Sequence, residues 1–265
     1  YSGSLKSHLT APLAALLDPA VAFALASLGF YLAFVAGGHA LGRLVGDRRT
    51  AAWAALYAAL APAFVTQYSL SNDGNYVEVL AFGAWALACV GAWLRSDREP
   101  PRAGLLLAAG LLLGLGFWCH ILAIMLVLPA GLLVLARAGR AAARPLLALA
   151  GGFALGYWPG LLWNATNGWE SFRYLVPGLQ PVGEAAASTP WQRLAGLLGD
   201  HAPVLLGYAS APTPGWDLVV RGLAWGAVAL ALAALAGGAR AAWREPLGPP
   251  GLLLAAVAAT LAIVA

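Results

Sequence analysis

Charge is what this chain has least of. Asp, Glu, Lys and Arg make up 10% of its 265 residues, against 61% hydrophobic, where a soluble domain carries about 25% charged residues. A soluble fold of this size would cover its core with polar groups, and too few are present, so most of the surface must face lipid. Cysteine is scarce as well. Cys89 and Cys119 both lie in apolar runs, form no metal-ligand spacing or disulfide framework, and read as small core residues. No His-x-x-x-His or Cys-x-x-Cys pair occurs, which argues against a tight zinc site built from protein alone. No secretory signal peptide is recognisable. The chain begins at Tyr1 and stops inside the apolar run Leu252 to Ala265, so it is expected to be truncated at both ends.

Apolar runs are what it has in plenty. A membrane helix needs about 20 mostly apolar residues. Reading between charges gives spans at Pro19 to Leu41, Ala51 to Ser71, Tyr76 to Leu94, Pro145 to Trp163, Leu218 to Gly238 and from Gly251 onward. The run Ala103 to Ala136 has 34 residues. As one helix it would be about 51 Å long, too long for a hydrocarbon core of about 30 Å. Two short helices with a tight turn near Trp118, Cys119 and His120 fit better. The expected fold is therefore all-α: a polytopic integral membrane domain over residues 1–265 with about eight spans, short amphipathic interfacial helices on its outer side, and an outer loop at 164–217 that carries one such helix.

The basic residues fit that count. Arg43, Arg48 and Arg49 follow the first span, Arg95, Arg98 and Arg102 the third, Arg137, Arg140 and Arg144 the fifth, and Arg240 and Arg244 the seventh. Every second loop is thus basic, provided that Ala103 to Ala136 is a hairpin. Basic loops are retained in the cytoplasm, which puts residues 1–18 and 164–217 outside. The same alternation accounts for the net charge of +4 as topology signals beside anionic lipid, not as a nucleic-acid surface. Trp163, Trp169, Trp191 and Trp216 mark outer boundaries, Trp93 and Trp243 inner ones.

The outer segments hold the polar chemistry. Residues 4–17, SLKSHLTAPLAALL, read as an amphipathic helix in the interface plane, with Lys6 and His8 on its early turns and Leu9 and Leu13 on an apolar side. Lys6 either snorkels to headgroups or holds a phosphate. In SLSNDGNYVE, residues 69–78, Gly74, Asn72 and Asn75 suit a turn. Asp73 and Glu78 either cap the next helix or line a cavity that binds sugar hydroxyls or a cation, since Glu78 at the start of a span is costly without a partner. His120 stands alone at the hairpin tip, as a structural hydrogen-bonding residue or a ligand. His39, near the cytoplasmic end of its helix, carries no assigned role. In the outer loop, Trp191 to Ala209 repeats apolar residues at helical spacing with an interruption at Pro203. Asn164-Ala165-Thr166 is a weak match to a glycosylation sequon. Arg173 suits bidentate phosphate binding or an interfacial helix end.

Three pieces of the chain carry a likeness: YSGSLKSHLTAPLAALL ahead of a span; QYSLSNDGNYVEVLAFGAWAL, with its polar Gly-Xaa-Tyr-Xaa-Glu turn; and GLLLGLGFWCHILAIMLVLPAGLLVL followed by LGYWPGLLWNATNGWESFRYL. Over Tyr1 to about Tyr208 the pattern resembles the GT-C glycosyltransferases that use polyprenyl-phosphate sugars, nearest to the bacterial branch similar to family 39, which includes protein mannosyltransferases and the lipid A aminoarabinose transferase. The resemblance implies a transferase in a bacterial inner (plasma) membrane, with a polyprenyl-phosphate sugar donor, membrane lipids around it and an unidentified acceptor on the non-cytoplasmic face. It leaves a divalent cation open as the one cofactor. It also implies a catalytic acidic residue in the first outer loop, expected upstream of Tyr1. Lys6 falls in the neighbourhood of the family's phosphate-binding Lys. His8, Asp73, Asn75, Tyr76, Glu78, His120 and Arg173 complete the expected substrate-binding set. A multi-span transporter or lipid-linked-sugar flippase is the alternative. Transporters place ionisable groups or broken helices near the midplane, often in repeated halves; here the charges gather at the outer rim and no repeat is visible, but Pro62 and Pro129 are candidate helix breaks.

Overall fold

Helix follows helix along the whole described chain in a computed structural model, which describes residues 4–61, 63–70, 75–96, 103–173, 189–196 and 217–264; among them no strand occurs. Helix α1 spans Leu5–Ala14, α2 Pro19–Val45, α3 Arg48–Ala59, α4 Ala63–Leu70, α5 Tyr76–Leu94 and α6 Ala103–Cys119. After a 3-10 turn at Ile121–Ala123 come α7 Ile124–Ala138, α8 Ala143–Thr166, α9 Glu170–Arg173, α10 Pro190–Gly196, α11 Asp217–Arg244 and α12 Pro249–Val264.

The packing is inside-out relative to a soluble protein. Helix α2 buries Ala22, Ser27, Gly37 and Gly42, while Val21, Leu25, Leu28 and Leu32 are exposed. Small residues let helix backbones approach where lipid already solvates leucine. The buried polar side chains among the described residues are Lys6, Thr10, Ser27, Ser69, Glu78 and Asn164. Among the described residues, four helical stretches are long and apolar enough to cross a membrane: Pro19–Val45, Tyr76–Leu94, Ile121–Ala141 and Ala143–Thr166. Helices Ala103–Cys119 and Pro249–Ala258 are apolar but shorter.

The eight-span expectation departs from this at residues 51–71. The run is not one helix: α3 ends at Ala59 and α4 begins at Ala63, and the sequence between them carries Pro62, a residue type without a backbone N–H. The freed carbonyls at the end of α3 are met by a neighbour, because the Tyr31 hydroxyl of α2 donates to the Ala58 oxygen at 3.0 Å and to the Ala59 oxygen at 3.3 Å. In lipid such satisfaction is what makes a break tolerable. Pro129, by contrast, lies inside a continuous α7.

The hairpin expectation holds. Helix α6 stops at Cys119, and His120 is extended, with φ −157° and ψ 141°. Helix α7 then returns, so that Ala130, Leu133 and Val134 join the same core as Leu106, Ala109 and Leu113. Helix α5 stands at the centre, buried along most of its length, with α2, α6 and α7 against it. Helix α8 runs parallel to α6 in the tightest pairing of the fold. A Cβ on Gly110 or Gly114 of α6 would strike the Leu149 or Phe153 carbonyl of α8, and one on Gly152 or Gly156 would strike the Leu107 or Leu111 carbonyl of α6. Each helix thus carries a small-xxx-small pair that sets backbone against backbone.

Two boundary expectations change. Trp93 lies in the core at 4% exposure instead of at an interface. Helix α1 differs at its polar residues: Leu9 and Leu13 are 51% and 38% exposed, as an apolar side facing lipid would be, but Lys6 and Thr10 are buried together with Leu5. In a lipid-facing setting the leucines point outward and the polar face seeks protein. The segment Trp191 to Ala209 is described only as α10, and Pro203 and Trp216 lie outside the described residues.

Candidate functional site

The end of the bundle where α5 and α7 begin and α6 and α8 finish brings α1 onto the hairpin tip. Leu5 of α1 inserts among Val79, Phe117, Cys119, Ala123 and Tyr157, and the Trp118 indole N–H donates to Ser4 Oγ at 3.1 Å. That docking carries Lys6 inward. Its Nζ lies 3.1 Å from Glu78 Oε1, with the two side chains 2% and 0% exposed. The Thr10 hydroxyl donates to the Lys6 carbonyl at 2.9 Å, one turn on. One of the two expected alternatives for each residue therefore falls: Lys6 does not snorkel to headgroups, and Glu78 makes no cap of α5. A carboxylate at that depth is costly unless paired, and Lys6 is its partner. Apart from the ion pair, neither Glu78 oxygen meets a hydrogen-bond donor among the described residues.

Around the pair, the Tyr76 and His120 rings approach to 5.2 Å and the exposed His8 ring lies 6.1 Å from that of Trp118. His120 Nδ1 accepts from the Leu122 backbone N–H at 3.1 Å, so His120 serves as the cap of the turn after α6. Its partial burial pushes its pKa below the ordinary 6.5, because the charged form loses hydration. Asn75 precedes α5 with φ 54°, a left-handed conformation that asparagine tolerates and that the turn reading anticipates.

The expected site residues thus divide. Lys6 meets Glu78, Tyr76 meets His120, and His8 lies against Trp118. Asp73, Asn72 and Gly74 lie outside the described residues, as does the side chain of Arg173, although α9 brings Arg173 to this end of the fold. Three further residues build this end that were not among the expected site residues: Thr10, Tyr157 and Asn164. The Asn164 amide is fully buried and donates to Tyr157 Oη at 3.2 Å and the Gly160 carbonyl at 2.8 Å. Its oxygen accepts from the Ser171 N–H at 3.1 Å. It therefore ties α8 to α9, and the sequon reading fails, because no glycan can be attached to an enclosed amide. The spacing of Asn164 seven residues after Tyr157 was the available signal, two helical turns on one face. Among the described residues no group of three or more His, Cys, Asp or Glu gathers as a metal site.

Comparison with protein-family models, curated proteins and solved structures found no match to this chain.

Proposed function

We propose that this chain is the membrane domain of a glycosyltransferase that moves a sugar from a polyprenyl-phosphate donor to an acceptor on the non-cytoplasmic face. The observation that carries the reading is the buried Lys6–Glu78 pair at 3.1 Å, held by an interfacial helix against a hairpin tip. In such a transfer the bond between the anomeric carbon and the phosphate oxygen breaks, and a bond to the acceptor oxygen forms. The acceptor proton passes to a carboxylate. The departing phosphate gathers negative charge and needs a fixed cation. An ammonium has three donors. Glu78 engages Lys6 on one side and fixes its position, and the remaining N–H groups serve the phosphate. Tyr76 and His120 offer ring faces and polar atoms to the sugar. The reading that this site lies outside rests on the basic loops at the opposite end.

The test is transfer of labelled sugar by the full-length protein in proteoliposomes. Lys6→Gln is expected to lower transfer at least about 100-fold, in line with the loss of one preorganised charge-stabilising donor. The exchange Lys6→Glu with Glu78→Lys should keep the melting temperature and abolish transfer. Full activity in that exchange variant would refute the assignment. The break between α3 and α4 favours a second reading, a transporter or lipid-linked-sugar flippase. The break follows 12 residues of α3, about 18 Å along the helix, near the depth at which transporters interrupt helices. Movement of substrate across the membrane with no covalent product would decide for that reading.

A further inference from the structure

At the arginine-bearing end of the bundle, opposite the Lys6 site, a cavity of 970 Å³ opens between α2, α3, α11 and α12. One wall is a stripe of α11, Leu230, Ala234, Gly237 and Ala241, and Val45 and Tyr57 face it. This volume is at the top of the range of pockets that enclose small ligands, about 300–1,000 Å³. The lining is apolar, so an empty cavity here has no use for water.

The mouth of the cavity is cationic. Continuing the α11 stripe by three residues from Ala241 leads to Arg244, which is exposed, since residues three apart share a helix face. On the other side the chain passes directly from Val45 through Gly46 and Asp47 into exposed Arg48 and Arg49. Of the two carboxylates nearby, Asp47 accepts from the Thr50 N–H and hydroxyl, each at 2.9 Å, and Glu245 is exposed next to Arg244 in the chain, so the arginines outnumber the acids at the mouth. Trp243 is 89% exposed beside Arg244, as an aromatic side chain at the headgroup level would be.

We infer that this cavity is a binding site for an anionic phospholipid of the leaflet on the arginine side: an acyl chain fills the space between α3, α11 and α12, and the phosphate meets Arg244 and the Arg48–Arg49 corner. Basic pockets between membrane helices bind acidic headgroups in this way, and the charge of the mouth selects a phospholipid over an uncharged hydrocarbon or an apolar helix. The site is independent of the transferase reading, because it lies at the other end of the bundle and uses none of the same residues.

The experiment is native mass spectrometry and thermal melting of the full-length protein, purified in detergent and offered phosphatidylglycerol or phosphatidylcholine. Phosphatidylglycerol should be retained preferentially and should raise the melting temperature. Arg244→Gln is exposed and should fold normally; it is expected to cut that preference about fivefold, the value of one basic residue near an anionic headgroup. Gly237→Phe places a ring in the cavity, where a Cβ meets nothing within 4 Å, and should remove the retained lipid while leaving the lipid-free melt unchanged. Equal retention of the two lipids, or an Arg244→Gln variant with undiminished preference, would overturn the site. So would a protein that retains neither lipid, since the cavity would then be closed by another helix or a second copy.

Discussion

Lys6 and Glu78 answer each other's cost. Either charge alone at this depth would be strongly unfavourable, and the two together remain only because they meet at 3.1 Å. Lys6→Met leaves Glu78 enclosed without a counter-charge and is expected to destabilise by about 3–5 kcal/mol. The double replacement Lys6→Met with Glu78→Met should recover most of that loss, measured as the melting temperature in one detergent. A double variant no more stable than the single would show that the pair is not coupled. His120 makes a pH prediction of known sign. Burial holds its folded pKa below 6.5, so the unfolded chain binds more protons just below that value. The stability that neutral His120 contributes is present above pH 6.5 and is lost as pH falls from there through the lowered folded pKa. The check is the His120 ring resonance, which should titrate below 6.5 in the folded protein; a midpoint at or above 6.5 would contradict the burial argument.

At the level of elements, the parallel α6–α8 pair is the rigid unit that carries the hairpin tip. Its contact is made by backbone on backbone at Gly110, Gly114, Gly152 and Gly156, so side-chain volume at any of them must push the helices apart. Gly114→Leu is expected to cost at least about 1–3 kcal/mol, the range for overpacking a filled interface. Gly151, one residue from Gly152, has open space around its Cβ position, and Gly151→Leu should leave the melt nearly unchanged. Similar effects for the two variants would remove the case for a close-approach face. Helix α1 behaves differently. It is anchored by Leu5, by the Trp118–Ser4 hydrogen bond and by the Lys6 ion pair, while Leu9 and Leu13 face outward. It is a strap over the site more than part of the core.

For the molecule as a whole, four helices among the described residues are long and apolar enough to cross a membrane, and the proposed orientation can be tested directly. Cysteine placed at Ser7, which is exposed on α1, should react with a membrane-impermeant reagent from the non-cytoplasmic side of intact cells. Cysteine placed at Arg140, exposed between α7 and α8, should react only after the cells are opened. The reverse pattern would invert the topology and remove the outer-face site.

Composition and charge spacing alone determined that the chain is helical and made for lipid, that residues 19–45, 76–94 and 143–166 are long helices to within a few positions, and that a turn must fall at His120. These are local properties: apolar length, period and basic flanks are written in consecutive residues. Tertiary structure alone decided that Lys6 is enclosed and not snorkelling, and that Glu78 pairs and does not cap. Each depends on what a side chain meets from a segment far along the chain. Lys6 and Glu78 are 72 positions apart, and nothing in either neighbourhood names the other. Their contact follows from the way α1 folds back onto the tip of α6, where the only inexpensive place for a buried charge is beside its opposite.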